Sequence, residues 1–258
     1  MNKVHFDRFI LYHTFVQCLN INTKNAQMKI TKQLLSIGLA AGLMAACNNS
    51  APEANVVAED AKQVDETKSA EAQSYAVLTD ADEISWRGYK TFSSDEHTGT
   101  LQVSEGEFKV KDGELVGGSF TIDMNTINNS DLEGEWKAKL EGHLKSADFF
   151  AVDTFPTAKF EITEVNAIDP AGDSAQAATH SVTGNLSLRG ETKSITFDAK
   201  ISVDDNNVSF NASDVVLDRS QWNVRFRSTS FTEFADIAKE NVIDNSLELQ
   251  INVQAAKS

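Results

Sequence analysis

From Ile84 onward the apolar residues of this chain fall on every second position, and that period leaves little choice of fold. A side chain that returns to the same face after two residues belongs to a strand with one buried and one wet side. Ile84, Trp86 and Gly88 share a face, as do Leu101 with Val103, Phe108 with Val110, and Phe120 with Ile122 and Met124. The pattern continues through Phe160 and Ile162, then Val182, Gly184, Leu186 and Leu188, then Ile195, Phe197, Ala199, Ile201 and Val203, then Val208, Phe210 and Ala212. It is cleanest in Leu247, Leu249, Ile251, Val253 and Ala255, and about eight or nine strands follow in all. Turn residues at short intervals (Lys111-Asp112-Gly113, Arg189-Gly190-Glu191, Asp204-Asp205-Asn206-Asn207) favour antiparallel hairpins over parallel crossovers.

One segment has a different period. Between Asp131 and Ala147, Leu132, Trp136, Leu140 and Leu144 recur every four residues and line one side of a helix. A weaker helical candidate runs from Thr232 to Lys239, and Pro156 and Pro170 punctuate loops. Strands with a single apolar face must pack onto a second sheet or curl into a closed one, and closure also removes aggregation-prone edges. The expected architecture is therefore an all-β antiparallel barrel of about eight strands with one main α-helix beside or across it. A barrel of that size has an interior either filled by side chains or hollow enough for one small ligand, and periodicity leaves both open.

Ahead of the strands lies Leu34 to Cys47, an apolar run that stops at a lone cysteine, with Lys29 and Lys32 before it. It is too short to span a membrane and reads as an export signal over residues 28–46. Met44-Ala45-Ala46-Cys47 resembles the lipobox of bacterial lipoproteins, in which the signal is cut before the cysteine and the thiol is lipidated. Cys47 is then the expected lipid anchor, in a cell-envelope, periplasm-facing protein whose host membrane is open. Residues 1–27 read as an upstream over-extension; they hold Cys18, the one other cysteine, so the exported chain has no disulfide.

The formal charge of −15 argues against nucleic acid as a partner. Much of it lies between Ala51 and Glu83, where nine acids face Lys62 and Lys68. With few large apolar residues, the stretch from Asn48 to about Ser74 is expected to be a solvated acidic tether within residues 47–76, holding a domain over residues 77–256 off the bilayer.

Catalytic signatures are missing from the pattern. Gly117-Gly118-Ser119-Phe120 lacks the trailing glycine of a nucleophile elbow and leads into a strand. No His, Cys, Asp and Glu stand at metal-ligand spacing, and no glycine-rich loop runs into Lys-Ser or Lys-Thr. The expectation is a non-enzyme with neither metal nor cofactor. His143 could meet a ligand or cap the helix, His97 reads as a turn residue, His180 as a loop residue, and Arg189 with Lys193 as charged turn residues with a lesser chance of drawing a pyrophosphate.

Several runs in order resemble the YceI-like polyisoprenoid-binding family. They are His97-Thr98-Gly99, Gly117 to Met124, His143-Leu144-Lys145-Ser146-Ala147-Asp148-Phe149-Phe150 with Asp153-Thr154-Phe155-Pro156 after it, Gly184 to Gly190 with Thr192-Lys193, and Asp218-Arg219 with Trp222. Asn223-Val224 departs from the family pattern, which commonly has glycine there. The resemblance implies a lipocalin-like barrel whose apolar cavity holds an isoprenoid lipid, of polyprenyl phosphate or prenyl quinone type. The lining then comes from the inward faces: Trp86, Leu101, Phe108, Phe120, Ile122, Phe160, Ile162, Leu186, Phe197 and Phe210. The expected partners are that lipid and the membrane through Cys47, with a homodimer left open. The alternative is a filled barrel serving as a structural or protein-interaction module.

Overall fold

A computed structural model describes residues 50–67, 69–79, 83–170 and 176–258. Cys47 and the leader lie outside the described residues. Among the described residues ten strands form one antiparallel sheet: β1 (Glu59–Asp60), β2 (Gln73–Val77), β3 (Glu83–Lys90), β4 (Glu96–Lys111), β5 (Glu114–Asn129), β6 (Thr157–Ala167), β7 (His180–Leu188), β8 (Glu191–Val203), β9 (Asn207–Asp218) and β10 (Ile243–Lys257). Each strand from β4 to β10 pairs with the next. The ring closes because β2 and β3 both lie between β4 and β10, together making one stave. The result is a closed eight-stave antiparallel barrel, as the alternation and the resemblance led one to expect.

The helix α1 (Gly134–Lys145) falls inside the expected span but starts three residues later. Asp131 is engaged elsewhere, accepting from His97 Nδ1 (2.8 Å), the Thr98 amide (2.7 Å) and Asn129 Nδ2 (2.6 Å). The weaker helical candidate resolves into two 3-10 turns, Thr232–Phe234 and Lys239–Asn241. His180 opens β7 instead of sitting in a loop.

The barrel has unlike ends. Tight turns at Asp112-Gly113 and Asp204-Asn206 cap one of them, where the Tyr75 hydroxyl reaches the Asp204 carbonyl at 3.2 Å. At the other end lie the β3–β4 loop, α1, the 219–242 segment and the start of β10. Here β9 leaves β8: their pairing covers only Lys200–Val203 against Val208–Asn211, while Val215 to Asp218 continue on β10.

The acidic stretch fills that seam, and this corrects the expectation of a solvated tether. The Ser246 hydroxyl donates to the Pro52 carbonyl (2.6 Å), the Asn55 and Val56 amides to the Val216 carbonyl, and the Val216 amide to Asn55 Oδ1 (2.9 Å). Strand β1 then pairs with Ser194 and Lys193 of β8, and Lys62 exchanges two hydrogen bonds with the Asn185 amide, 2.9 and 2.7 Å. Val56 is 7% exposed and joins the core. One buried valine and a ladder of main-chain bonds offset the ordering entropy that composition alone left unopposed.

Candidate functional site

The interior divides into a packed half and a hollow half. Toward the turn-capped end five phenylalanines pack ring on ring: Phe120 with Phe160 (centroids 5.6 Å apart), Phe108 with Phe210 (5.7 Å), Phe160 with Phe197 (5.4 Å), and Phe210 with both Phe120 and Phe197 (6.3 Å each). These separations are the usual range for attractive aromatic pairs. Gly184, on the β7 face opposite β6, makes room for Phe160, because a Cβ there would lie 2.3 Å from the ring's Cζ. Ile162, 2% exposed, packs in the same half.

Above this plug is a cavity of about 250 Å³ that opens at the end carrying α1. Its wall is apolar: Ile122, Met124, Ala158, Leu186, Leu188 and Leu217 on one side, and Ile84, Trp86, Leu101, Ile127, Leu247 and Leu249 on the other. Trp86 lies flat on Gly99, whose added Cβ would meet the indole at 2.4 Å, and its Nε1 is buried without a hydrogen-bond partner. Leu140, His143 and Leu144 of α1 form the roof with Phe149, Phe150 and Phe226. None of the α1 residues is buried, so the helix lies across the opening without being sunk into the core. Tyr89, Lys90, Asp95, His97, Arg227 and Asp244 make the rim polar. A cavity of about 150 Å³ accommodates benzene, so this one has room for roughly ten carbon atoms, about two isoprene units.

Of the expected lining residues, Trp86, Leu101, Ile122 and Leu186 face the cavity. Phe108, Phe120, Phe160, Ile162, Phe197 and Phe210 do not; they are the plug beneath it, because alternation fixes a face but not a height along the barrel axis. The Leu140 and Leu144 stripe is legible in the sequence as one side of a helix, but nothing in its spacing says what it covers.

Fixed polar groups hold the roof. Burial opposes ionisation of Asp131, yet its bonds from His97, Thr98 and Asn129 outweigh that and keep its carboxyl below the ordinary range. Asn129 carries the link onward, donating its amide to Glu141 of α1 at 2.8 Å. His143 sits between Phe149 and Phe226, edge to face at 5.0 and 4.7 Å, with Nε2 3.2 Å from Asp148 Oδ2. Arg219 is 5% exposed and donates to four main-chain carbonyls, those of Val224, Asp244, Phe226 and Ile243, between 2.6 and 3.0 Å. Burial pulls its pKa down to about 10, offset in part by Asp218 and Asp244, so it remains a cation that pins the 219–227 loop to β10. Arg189 bonds the carbonyls of Asn223 and Ala147, which ties the turn it sits on to the roof. Asn223 adopts φ 57°, a left-handed conformation that asparagine tolerates well. Tyr89 bonds Glu248, and burial together with that carboxylate pushes its pKa up to about 12. Among the described residues no group of three or more His, Cys, Asp or Glu is placed to hold a metal ion.

A model of the YceI-like domain matches residues 75–255. A UPF0312 protein of Pseudomonas aeruginosa is 42% identical over 93 residues, 33% of this chain and 44% of the relative, and one from Enterobacter is 38% identical over the same length. The match thus spans less than half the length of these relatives. Among solved structures, BcnA of Burkholderia cenocepacia overlaps at 18% identity with a TM-score of 0.48, covering 69% of this chain and 99% of that one. A polyisoprenoid binding domain from Saccharophagus degradans overlaps at 12% identity and 0.49, covering 72% and 99%.

Proposed function

Since the chain belongs to the YceI-like family, with residues 75–255 forming that domain, we propose that it binds the apolar chain of an isoprenoid lipid in the barrel cavity and carries or stores it at a membrane. The observation that carries this reading is the cavity itself: apolar walls above a close-packed floor, open at one polar-rimmed end. An apolar chain end enters such a site and leaves its head group at the rim, where Lys90, His97 and Arg227 stand. The name of the Saccharophagus domain agrees with this ligand class.

Magnitudes favour exchange at a membrane over release into water. Each buried methylene-sized group is worth about 0.8 kcal/mol relative to water, so ten carbons hold a ligand by about 8 kcal/mol before ordering costs. Bilayer and cavity are both apolar, so transfer between them is close to neutral and reversible. A lipid on Cys47 would keep the domain at such a surface, in the periplasm-facing envelope, at high local concentration. The reaction class is binding; nothing in the cavity calls for turnover.

Organic extraction of protein purified from a membrane-containing host, followed by mass spectrometry, tests the reading. A stoichiometric prenyl lipid supports it, whereas a folded protein with an empty or water-filled cavity favours the structural or protein-interaction module. Cys47→Ser is expected to move the protein from the membrane to the soluble periplasmic fraction.

A further inference from the structure

The docked acidic strap begins beside the cavity mouth. Pro52 is held by Ser246, a residue of the cavity's own wall at the start of β10. Pro52 is five positions after Cys47, the expected lipid anchor, and five extended residues reach no further than about 18 Å. A strap free from Asn48 to Ser74 would have let the barrel turn any side to the lipid; bound along the seam from Pro52 to Lys62, it does not.

The same end carries the exposed aromatic residues. Trp136, in the first turn of α1, is 71% exposed, and Phe92, in the β3–β4 loop between the rim residues Lys90 and Asp95, is 56% exposed. Each lies under an ammonium group, Lys139 Nζ at 5.0 Å from the Trp136 ring and Lys239 Nζ at 5.4 Å from that of Phe92. Aromatic rings flanked by long cationic chains suit the boundary between acyl chains and head groups. The other exposed large apolar residues, Val57, Val64 and Leu78, are single aliphatics on the strap or after β2.

From these two observations we infer that the mouth end docks face-on to a phospholipid bilayer, with Trp136 and Phe92 inserted at the interface and the cavity opening onto the lipid. This rests on the tethered-carrier reading above. Two ammonium groups at this end are paired with carboxylates, Lys139 with Glu135 at 2.8 Å and Lys90 with Asp95 at 3.4 Å. Apolar insertion, not attraction to anionic lipid, therefore holds the contact, which survives added salt. An isoprenoid then passes between bilayer and cavity without crossing water.

Tryptophan emission tests this, because Trp86 and Trp222 are 9% and 1% exposed and the one other tryptophan of the sequence is Trp136. Full-length lipidated protein would be reconstituted into phosphatidylcholine vesicles, with and without brominated acyl chains. The expected result is quenching of the Trp136 emission by brominated lipid at both low and high salt, lost in Trp136→Phe. Absence of quenching in floated, vesicle-bound protein overturns the docking, and so does quenching that persists in Trp136→Phe, which would place bromine at Trp86 inside the cavity instead. Failure to float with the vesicles removes the anchor and the docking together. Prenyl lipid in the organic extract is scored separately, so cargo without quenching retires the docked orientation alone, and quenching without cargo retires the carrier reading.

Discussion

Removing one ring from the plug should lengthen the cavity by a calculable amount. Phe160 is 3% exposed and contacts Phe120 and Phe197, and Leu186 of the cavity wall pairs with it across β6 and β7. Phe160→Ala leaves a hole of roughly benzene size, which in a rigid interior is about 150 Å³ and adds space for about six carbons. The wild-type cavity of about 250 Å³ would then grow from roughly two isoprene units to three. Truncating a buried phenylalanine costs about 3–5 kcal/mol, and at 2–4 °C per kcal/mol for a domain of this size the melting temperature should fall by roughly 6–20 °C. The assay is competition binding with prenyl alcohols of ten, fifteen and twenty carbons, alongside thermal melts. Each isoprene unit that enters the cavity adds up to about 4 kcal/mol relative to water, close to a thousandfold in affinity. Wild-type affinity should therefore climb to ten carbons and flatten, while the variant's climbs to fifteen. A wild type whose affinity keeps rising steeply to twenty carbons would refute a floor at Phe120 and Phe160, since the chain would have to pass through them.

Other consequences follow from the same geometry. Gly184→Val should behave as an overpacked core, losing about 1–3 kcal/mol in denaturant unfolding, because the new side chain occupies the seat of the Phe160 ring; an unchanged midpoint contradicts that fit. Asp131 has its pKa lowered in the fold, so its contribution is present above the ordinary carboxylate range and is lost as pH falls through the folded value. Its side chain is 31% exposed, which limits that contribution to about 1 kcal/mol, and Asp131→Asn should flatten the acid side of the stability profile; parallel profiles for the two proteins argue against it. Val56→Asp should release the strap, so that the Val216 amide, which bonds Asn55 instead of β10, exchanges with solvent far faster while the β9–β10 ladder stays protected. Unaltered exchange at Val216 would mean the strap does not depend on that valine.

The strands were legible because a two-residue period survives any tertiary context: every inward residue named from Ile84 to Ala255 lies in a strand of the barrel or at its margin. Height along the axis was not legible. Phe120 and Ile122 share a face and differ by one step, yet one closes the floor and the other faces the hollow. What separates them is where bulky residues from β4, β5, β6, β8 and β9 coincide, and that depends on the stagger between strands. The strap was misread for a related reason. Composition measures how much apolar surface a segment owns, but Asn55 and Val56 dock through main-chain bonds and one small side chain supplied with a ready-made slot. The breaks in register within β4–β5, where Met124 and Ile127 are both buried, also lie outside what strict alternation can express.

The seam between β8 and β9 has an implication for the order of assembly. Asn55 and its partner Val216 are 161 residues apart, so the piece that seals the wall is among the first of the domain to emerge and can find its place only after nearly everything else has arrived. Until then the two neighbouring strands diverge around an unfilled slot. The open side of the nascent barrel is thus finished by its own leading end, as the last stitch rather than the first.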